Sequence, residues 1–292
     1  MGSLLVILSA FGFSTLGVFA RLGYDAGLTR NQVLVFRFAL ALPFLALVLF
    51  LNGLFAEFCK PDVRKKFAVA MGLGLVGIGI EATLYFLTFE TVGGAMTGIL
   101  FYLYPTVVAL LSFVFLSERL SLKKWGCILL SIIGCVLTVD LHGAQVGHEW
   151  GILYGIATAV FYAGYLLVAN RVMKGENPLI VSSGVVTGAF IAFLALSLLE
   201  HGLNQTHLPW PFPFSAWCGL FGLALIGAVL PFTTLYAGMK RVGPTQAAVL
   251  STLEMVFTVV LAAVFLGEKL TLVQLGGAAV ILISVLMIQK VR

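Results

Sequence analysis

The stretch YPTVVALLSFVFLSERLSL at residues 104–122 is written a second time, with substitutions, as EMVFTVVLAAVFLGEKLTL at residues 254–272. Both are apolar runs closed by a small residue, a glutamate, a cation, a leucine and a hydroxyl. At a constant offset of 150, residues 92–122 and 242–272 agree at 11 of 31 positions, among them Val92 and Val242, Gly93 and Gly243, Phe115 and Phe265, Glu118 and Glu268, and Leu120 and Leu270. A weaker likeness joins SAFGFSTLGVFARLG (9–23) to TAVFYAGYLLVANRVMKG (158–175). The chain therefore reads as two halves, 1–143 and 144–292, joined through the polar segment 140–150. One difference stands out: the second copy opens on Glu254 where the first has Tyr104.

Composition sets the class. Of 292 residues, 61% are hydrophobic and 10% charged, with a mean hydropathy of +1.10, against roughly 25% charged in soluble domains. The charges cluster, and the uncharged runs between them approach the ~20 residues that carry a helix across ~30 Å of hydrocarbon. Ten spans result, at about 3–23, 32–53, 67–89, 92–116, 122–139, 151–170, 179–199, 215–239, 244–266 and 272–289. The first lacks the basic flank of a signal peptide and is kept as a membrane helix. The expected fold is all-α and integral to the membrane, with ten transmembrane helices.

Five spans per half is an odd number, so the second half is inverted relative to the first. Glu118 then closes its helix on one side of the membrane and Glu268 on the other. Inverted repeats are the architecture of many secondary transporters, with the substrate site near the midplane between halves. Of the 17 Lys and Arg, all but Arg21, Arg30, Lys269 and Arg37 fall in one set of alternate loops. That asymmetry places both termini in the cytoplasm. The pI near 9.1 follows from cytoplasmic loops facing anionic headgroups and gives no reason to expect nucleic acid.

The two helix-ending motifs, and FRFALALPF in the second span, resemble the EamA-type domains of the drug/metabolite transporter (DMT) superfamily. The resemblance covers the chain and places it near bacterial metabolite exporters, including the YddG-like amino-acid exporters. It implies a cell inner-membrane protein exporting amino acids or related small metabolites. The family often carries proline after the glutamate of the ninth span. Met255 stands there, while the first half keeps Pro105, so the implied helix break is left open in the second copy only.

A charge at the bilayer centre costs about 2.5–3.5 kcal/mol on insertion scales, so each one inside a span needs a partner or a purpose. At 1.5 Å per residue, Arg37 lies roughly 8 Å, Glu81 roughly 12 Å and Glu254 about 15 Å inside their spans. Arg37 and Glu81 share a depth and oppose in sign. They form either a structural ion pair or a site taking the carboxylate and ammonium of a zwitterion. Glu254 can carry a proton, attract an amine, or bond neighbouring hydroxyls and hold helices together. Tyr85, Tyr102, Tyr104, Tyr162, Tyr165 and Tyr236 also lie inside spans and complete the candidate substrate-binding set, or else pack helices. Pro43, Pro105 and Pro231 interrupt hydrogen-bond ladders, and the carbonyls they free can serve a cavity. Glycines in MGLGLVGIGIE (71–81) suit close helix packing.

Other features carry less. Ser121 and Thr271 read as helix N-caps, the latter in a capping box with Gln274. Neither the four cysteines nor the four histidines show metal-ligand spacing, and Asn204-Gln205-Thr206 is formally a glycosylation acceptor. The chain has no phosphate-binding G-x-x-x-x-G-K-[ST] loop, so no cofactor is expected and transport draws on a gradient, with protons as the coupling ion, or runs uncoupled. A membrane enzyme would need clustered His, Asp or Cys at one depth. A channel or scaffold would not show saturable turnover. Drugs, polyamines and nucleotide-linked sugars remain alternative substrates.

Overall fold

The computed structural model describes residues 1–116, 121–138, 149–172, 176–204, 210, 212–266 and 271–290. Among these residues the chain is helical without strands. The helices are α1 (Gly2–Ser14), α2 (Leu16–Tyr24), α3 (Arg30–Leu51), α4 (Pro61–Gly72), α5 (Gly79–Phe101), α6 (Tyr104–Leu116), α7 (Leu122–Thr138), α8 (Glu149–Val172), α9 (Pro178–Asn204), α10 (Phe214–Ala224), α11 (Leu230–Val242), α12 (Pro244–Ser251), α13 (Leu253–Leu266) and α14 (Leu272–Lys290). Seven helical stretches are long and apolar enough to cross a membrane, and Tyr104–Leu116 and Leu272–Ile288 are shorter apolar helices. The expected count of ten is consistent with these elements. Glu118, Glu268, His142, His148 and His207 lie outside the described residues.

Local chemistry explains the helix starts. The Thr29 hydroxyl accepts from the Gln32 N–H at 3.3 Å while the Thr29 N–H donates to Gln32 Oε1 at 3.0 Å, a reciprocal cap on α3. Thr271 and Gln274 do the same before α14, at 3.2 and 2.9 Å, and the Ser121 hydroxyl accepts from the Lys124 N–H before α7. Gly243, at φ 84°, turns the chain between α11 and α12, with Pro244 at the first turn of the new helix. This conformation is open to glycine and strained for other residues.

One boundary differs from expectation. The third span does not end at 89 with a fresh start at 92: α5 runs unbroken from Gly79 to Phe101. The equivalent point of the second half has Gly243-Pro244, whereas the first has Gly93-Gly94. A glycine costs a helix about 1 kcal/mol, and only proline removes the donor and clashes. The first-half helix instead breaks at Tyr102–Leu103, ahead of Pro105. The second half breaks at Thr252, the same place under the offset, although Met255 replaces the proline. There the Thr252 hydroxyl donates to the Val249 carbonyl at 2.7 Å, and the Thr252 N–H donates to the same oxygen at 3.2 Å. The second copy thus breaks at the equivalent point without a proline after it.

Two wide turns of π-helix, Leu73–Ile78 and Leu225–Val229, also correspond under the offset to within two residues. Each sits between two α-helical stretches (α4 and α5; α10 and α11), as single-turn bulges commonly do near functional sites. Packing repeats with the halves exchanged. α1 lies on α11 as α8 lies on α5, α13 on α1 as α6 on α8, and α10 on α3 as α4 on α9. The equivalent helices α7 and α14 pack on each other, as do α3 and α9.

Lipid supplies no hydrophobic drive between helices, so close contact between small residues must hold them. A Cβ on Gly74 would collide with the Val185 carbonyl, and one on Gly188 with the Met71 carbonyl. The backbones of α9 and the first π-segment therefore touch only because both positions lack a side chain. Elsewhere, Ser284 of α14 donates to the Cys127 carbonyl of α7 at 2.7 Å. Gly188→Val is expected to cut the yield of monodisperse protein in detergent, overpacking costing about 1–3 kcal/mol. Gly126→Val, where an added Cβ meets nothing, should leave the elution profile and melting temperature unchanged.

Candidate functional site

Pro231 lacks an N–H, so the Gly227 carbonyl four residues upstream loses its ordinary helical donor. Arg37 of α3 supplies one: its Nη2 donates to the Gly227 oxygen. Arg37 is 8% exposed, and its guanidinium carbon sits 4.9 Å from the Phe38 ring centroid. The Phe38 ring in turn stacks on Phe193 at 5.6 Å. Among the described residues Arg37 Nε has no hydrogen-bond partner. On the other side of the π-segment, Ser9 of α1 donates to the Pro231 carbonyl at 2.9 Å, so three elements converge on the break.

Arg37 is within electrostatic reach of both Glu254 and Glu81, and the two carboxylates feel each other. Among the described residues Arg37 makes no ion pair with either. The direct Arg37–Glu81 bridge that their common depth suggests is not formed. Instead, Arg37 donates from Nη2 to the Gly227 carbonyl. Glu81 itself stands where the second half has Pro231, counted by the offset of 150. Both carboxylates are only half-buried.

All six candidate tyrosines fall in one aromatic cluster, and Phe101 is its hub. Tyr85, Tyr102, Tyr104 and Tyr162 have ring centroids 5.6, 5.4, 5.3 and 5.2 Å from Phe101. Tyr162 lies 4.9 Å from Tyr104, edge to face, and 5.9 Å from Tyr165. The Tyr165 and Tyr236 hydroxyls bond to each other, and Tyr236 leads on to Phe232 and Phe38 beside Arg37. Glu254 influences Tyr85, Tyr102, Tyr104 and Tyr162, and Glu81 influences Tyr85, Tyr162 and Tyr165. The site residues named from sequence are thus gathered into one interior region walled by both halves.

Phe101, Phe38 and Phe232 are not among the residues named from sequence. Phe101 and Phe232 stand in the segments FYLY (101–104) and PFTTLY (231–236), where the neighbouring tyrosines are the conspicuous residues because they carry hydroxyls. The Gly227 carbonyl has no side-chain signature at all, and only Pro231 four residues later points to it.

The difference between Tyr104 and Glu254 now has a physical content. Each residue stands in the first turn of a helix after a break. The Tyr104 hydroxyl donates to the Ala248 carbonyl of α12 at 3.2 Å, stitching the first half to the second. Glu254 lies in the first turn of α13, where a carboxylate complements the helix dipole, and among the described residues it has no bonded cation. Among the described residues no three His, Cys, Asp or Glu side chains converge on one point.

Comparison with known proteins agrees with this architecture. The EamA-like transporter family matches twice, over residues 1–140 and 149–289. An uncharacterized transporter of Archaeoglobus fulgidus is 28% identical over 289 residues, covering 98% of this chain and 95% of its own. A Salmonella typhimurium protein named "Probable amino-acid metabolite efflux pump" is 33% identical over 181 residues, 60% of each chain. A solved structure titled "Crystal structure of protein" superposes with a TM-score of 0.80 at 22% identity, covering 98% of this chain and 95% of that one. With two family matches spanning nearly its whole length, this multi-pass membrane protein belongs to the EamA-like transporter family of the drug/metabolite transporter superfamily.

Proposed function

We propose that the protein exports amino acids or related small metabolites by alternating access between halves 1–143 and 144–292, with both termini in the cytoplasm of a bacterial-type inner membrane. The observation that carries this reading is the composition of the interior: among the described residues, two carboxylates without a bonded cation, one guanidinium with an unpartnered Nε, and a wall of tyrosines. An amino acid brings a carboxylate for Arg37 and an ammonium for Glu254 or Glu81, and an aromatic wall attracts that ammonium through its π faces. A carboxylate docking on Arg37 competes with the Gly227 carbonyl, so substrate binding acts on the contact between halves. Ligands that bias a two-state element in this way drive alternation. The name of the Salmonella relative supports the substrate class.

Protons are the proposed coupling ion, carried by Glu254. Efflux from proteoliposomes loaded with labelled amino acids should saturate and should respond to an imposed pH gradient. Glu254→Gln should keep binding of a carboxylate-bearing substrate but lose the gradient response. Efflux that saturates yet ignores the gradient in the parent protein makes it an uncoupled facilitator, and silence across the whole amino-acid panel moves the substrate to another class. Arg37→Met should weaken apparent affinity for carboxylate substrates by about tenfold to a hundredfold, the range for hydrogen bonds to charged groups. Decarboxylated amines, measured in parallel, should lose far less, and equal losses for both would remove Arg37 from substrate contact.

A further inference from the structure

A groove of about 600 Å³ opens on the outside of the bundle, with α8 on one side and α4 and its π-helical continuation, Leu73–Ile78, on the other. Its walls are Val69, Gly72, Val76, Phe161, Gly164 and Val168, and its surface is almost entirely carbon. The glycines of this region divide into two kinds. Gly74, Gly184 and Gly188 are pressed against neighbouring backbone, whereas a Cβ added at Gly72 or Gly164 would meet nothing. Among the described residues no helix occupies the space that these two leave. They keep a slot open toward the bilayer, about 10 Å long from Val69 to Val76.

One end of the slot is charged. Lys65 stands one turn before Val69 on α4, and Arg171 one turn beyond Val168 on α8. Arg171 is anchored by donating to the Phe115 carbonyl at 2.9 Å. The acids nearby are Asp62, on the turn before Lys65, and Glu176, which already takes Lys66 at 2.6 Å. Lys240 adds a further cation by donating to the Glu176 carbonyl at 2.7 Å. Lys65 makes no ion pair among the described residues, so two cations flank the rim where the apolar slot reaches the membrane surface.

We infer that this groove binds the acyl chain of an anionic phospholipid, whose phosphate lies between Lys65 and Arg171. An apolar slot open to hydrocarbon, ending at a cationic rim, matches that molecule in both shape and charge. The floor of the slot is Tyr165, whose ring would touch a Cβ at Gly77 and whose hydroxyl bonds Tyr236 within the same half. The slot itself runs between α4 and its continuation in the first half and α8 in the second, so a chain seated there bears on the contact between halves.

The test uses the purified full chain stripped of lipid and then given phosphatidylglycerol or phosphatidylcholine, with retained lipid counted by native mass spectrometry and melting temperature followed in parallel. The parent protein should retain one phosphatidylglycerol per chain and gain thermal stability from it. Gly164→Leu, which fills the slot, should lose both effects while melting like the lipid-free parent. Gly72→Leu gives a second, independent filling. Lys65→Gln should cut the preference for phosphatidylglycerol over phosphatidylcholine about fivefold, the effect of one cation near an anionic headgroup. Chain-brominated phosphatidylglycerol should also quench the indole introduced by Phe161→Trp, a readout that needs no filled groove. Full retention by Gly164→Leu, equal retention of the two lipids by the parent, or a dimer that Gly164→Leu dissociates would each overturn the assignment.

Discussion

A guanidinium deep in a membrane protein and a helix carbonyl stripped of its donor are each costly alone. An unsatisfied buried polar group costs about 1–3 kcal/mol, and an unpartnered charge at the centre of a span more. Here Arg37 and the Gly227 carbonyl satisfy one another across the boundary between halves. Much of the interior follows from that contact. It fixes α3 against the π-segment Leu225–Val229, and α1 closes on the start of α11, just beyond it, through Ser9. Among the described residues Glu81 and Glu254 stay without a bonded cation.

The frame is symmetric and its contents are not. The breaks at Tyr102–Leu103 and Thr252, the two π-segments and the exchanged helix contacts all obey one offset. The groups inside do not: Glu81 answers to Pro231, and Tyr104 to Glu254. A duplicated frame supplies two structurally equivalent ways to close around one space, while the asymmetric interior decides what the space holds. Polar groups in a membrane are kept where they serve a pathway, and the placement of these fits a pathway better than a scaffold.

Membrane class, duplication and family were legible in the sequence because they rest on coarse signals. Apolar run length, charge clustering and a repeated helix-ending motif survive a few errors at boundaries. The candidate site residues could be named because ionisable groups and tyrosines within apolar runs are conspicuous. Three things were not legible, for physical reasons. The continuity of α5 through Gly93-Gly94 depends on the absence of proline, and glycine alone sets no helix end in a packed bundle. The break at Thr252 forms without the proline that marks its counterpart, so no residue letter at that point announces it. The partner of Arg37 is a backbone atom, and a search for opposite charges points to Glu81 instead.

If Arg37 is held by the carbonyl that Pro231 frees, the two residues must be energetically coupled. A double-mutant cycle measures that coupling, with Arg37→Met, Pro231→Ala and the pair compared by reversible unfolding in mixed micelles. Alanine at 231 returns an N–H to the helix, so the Gly227 carbonyl no longer needs the guanidinium. Arg37→Met is then expected to cost at least about 1 kcal/mol less in the Pro231→Ala background than in the parent. Strictly additive costs would contradict this and would return Arg37 to a partner elsewhere in the interior.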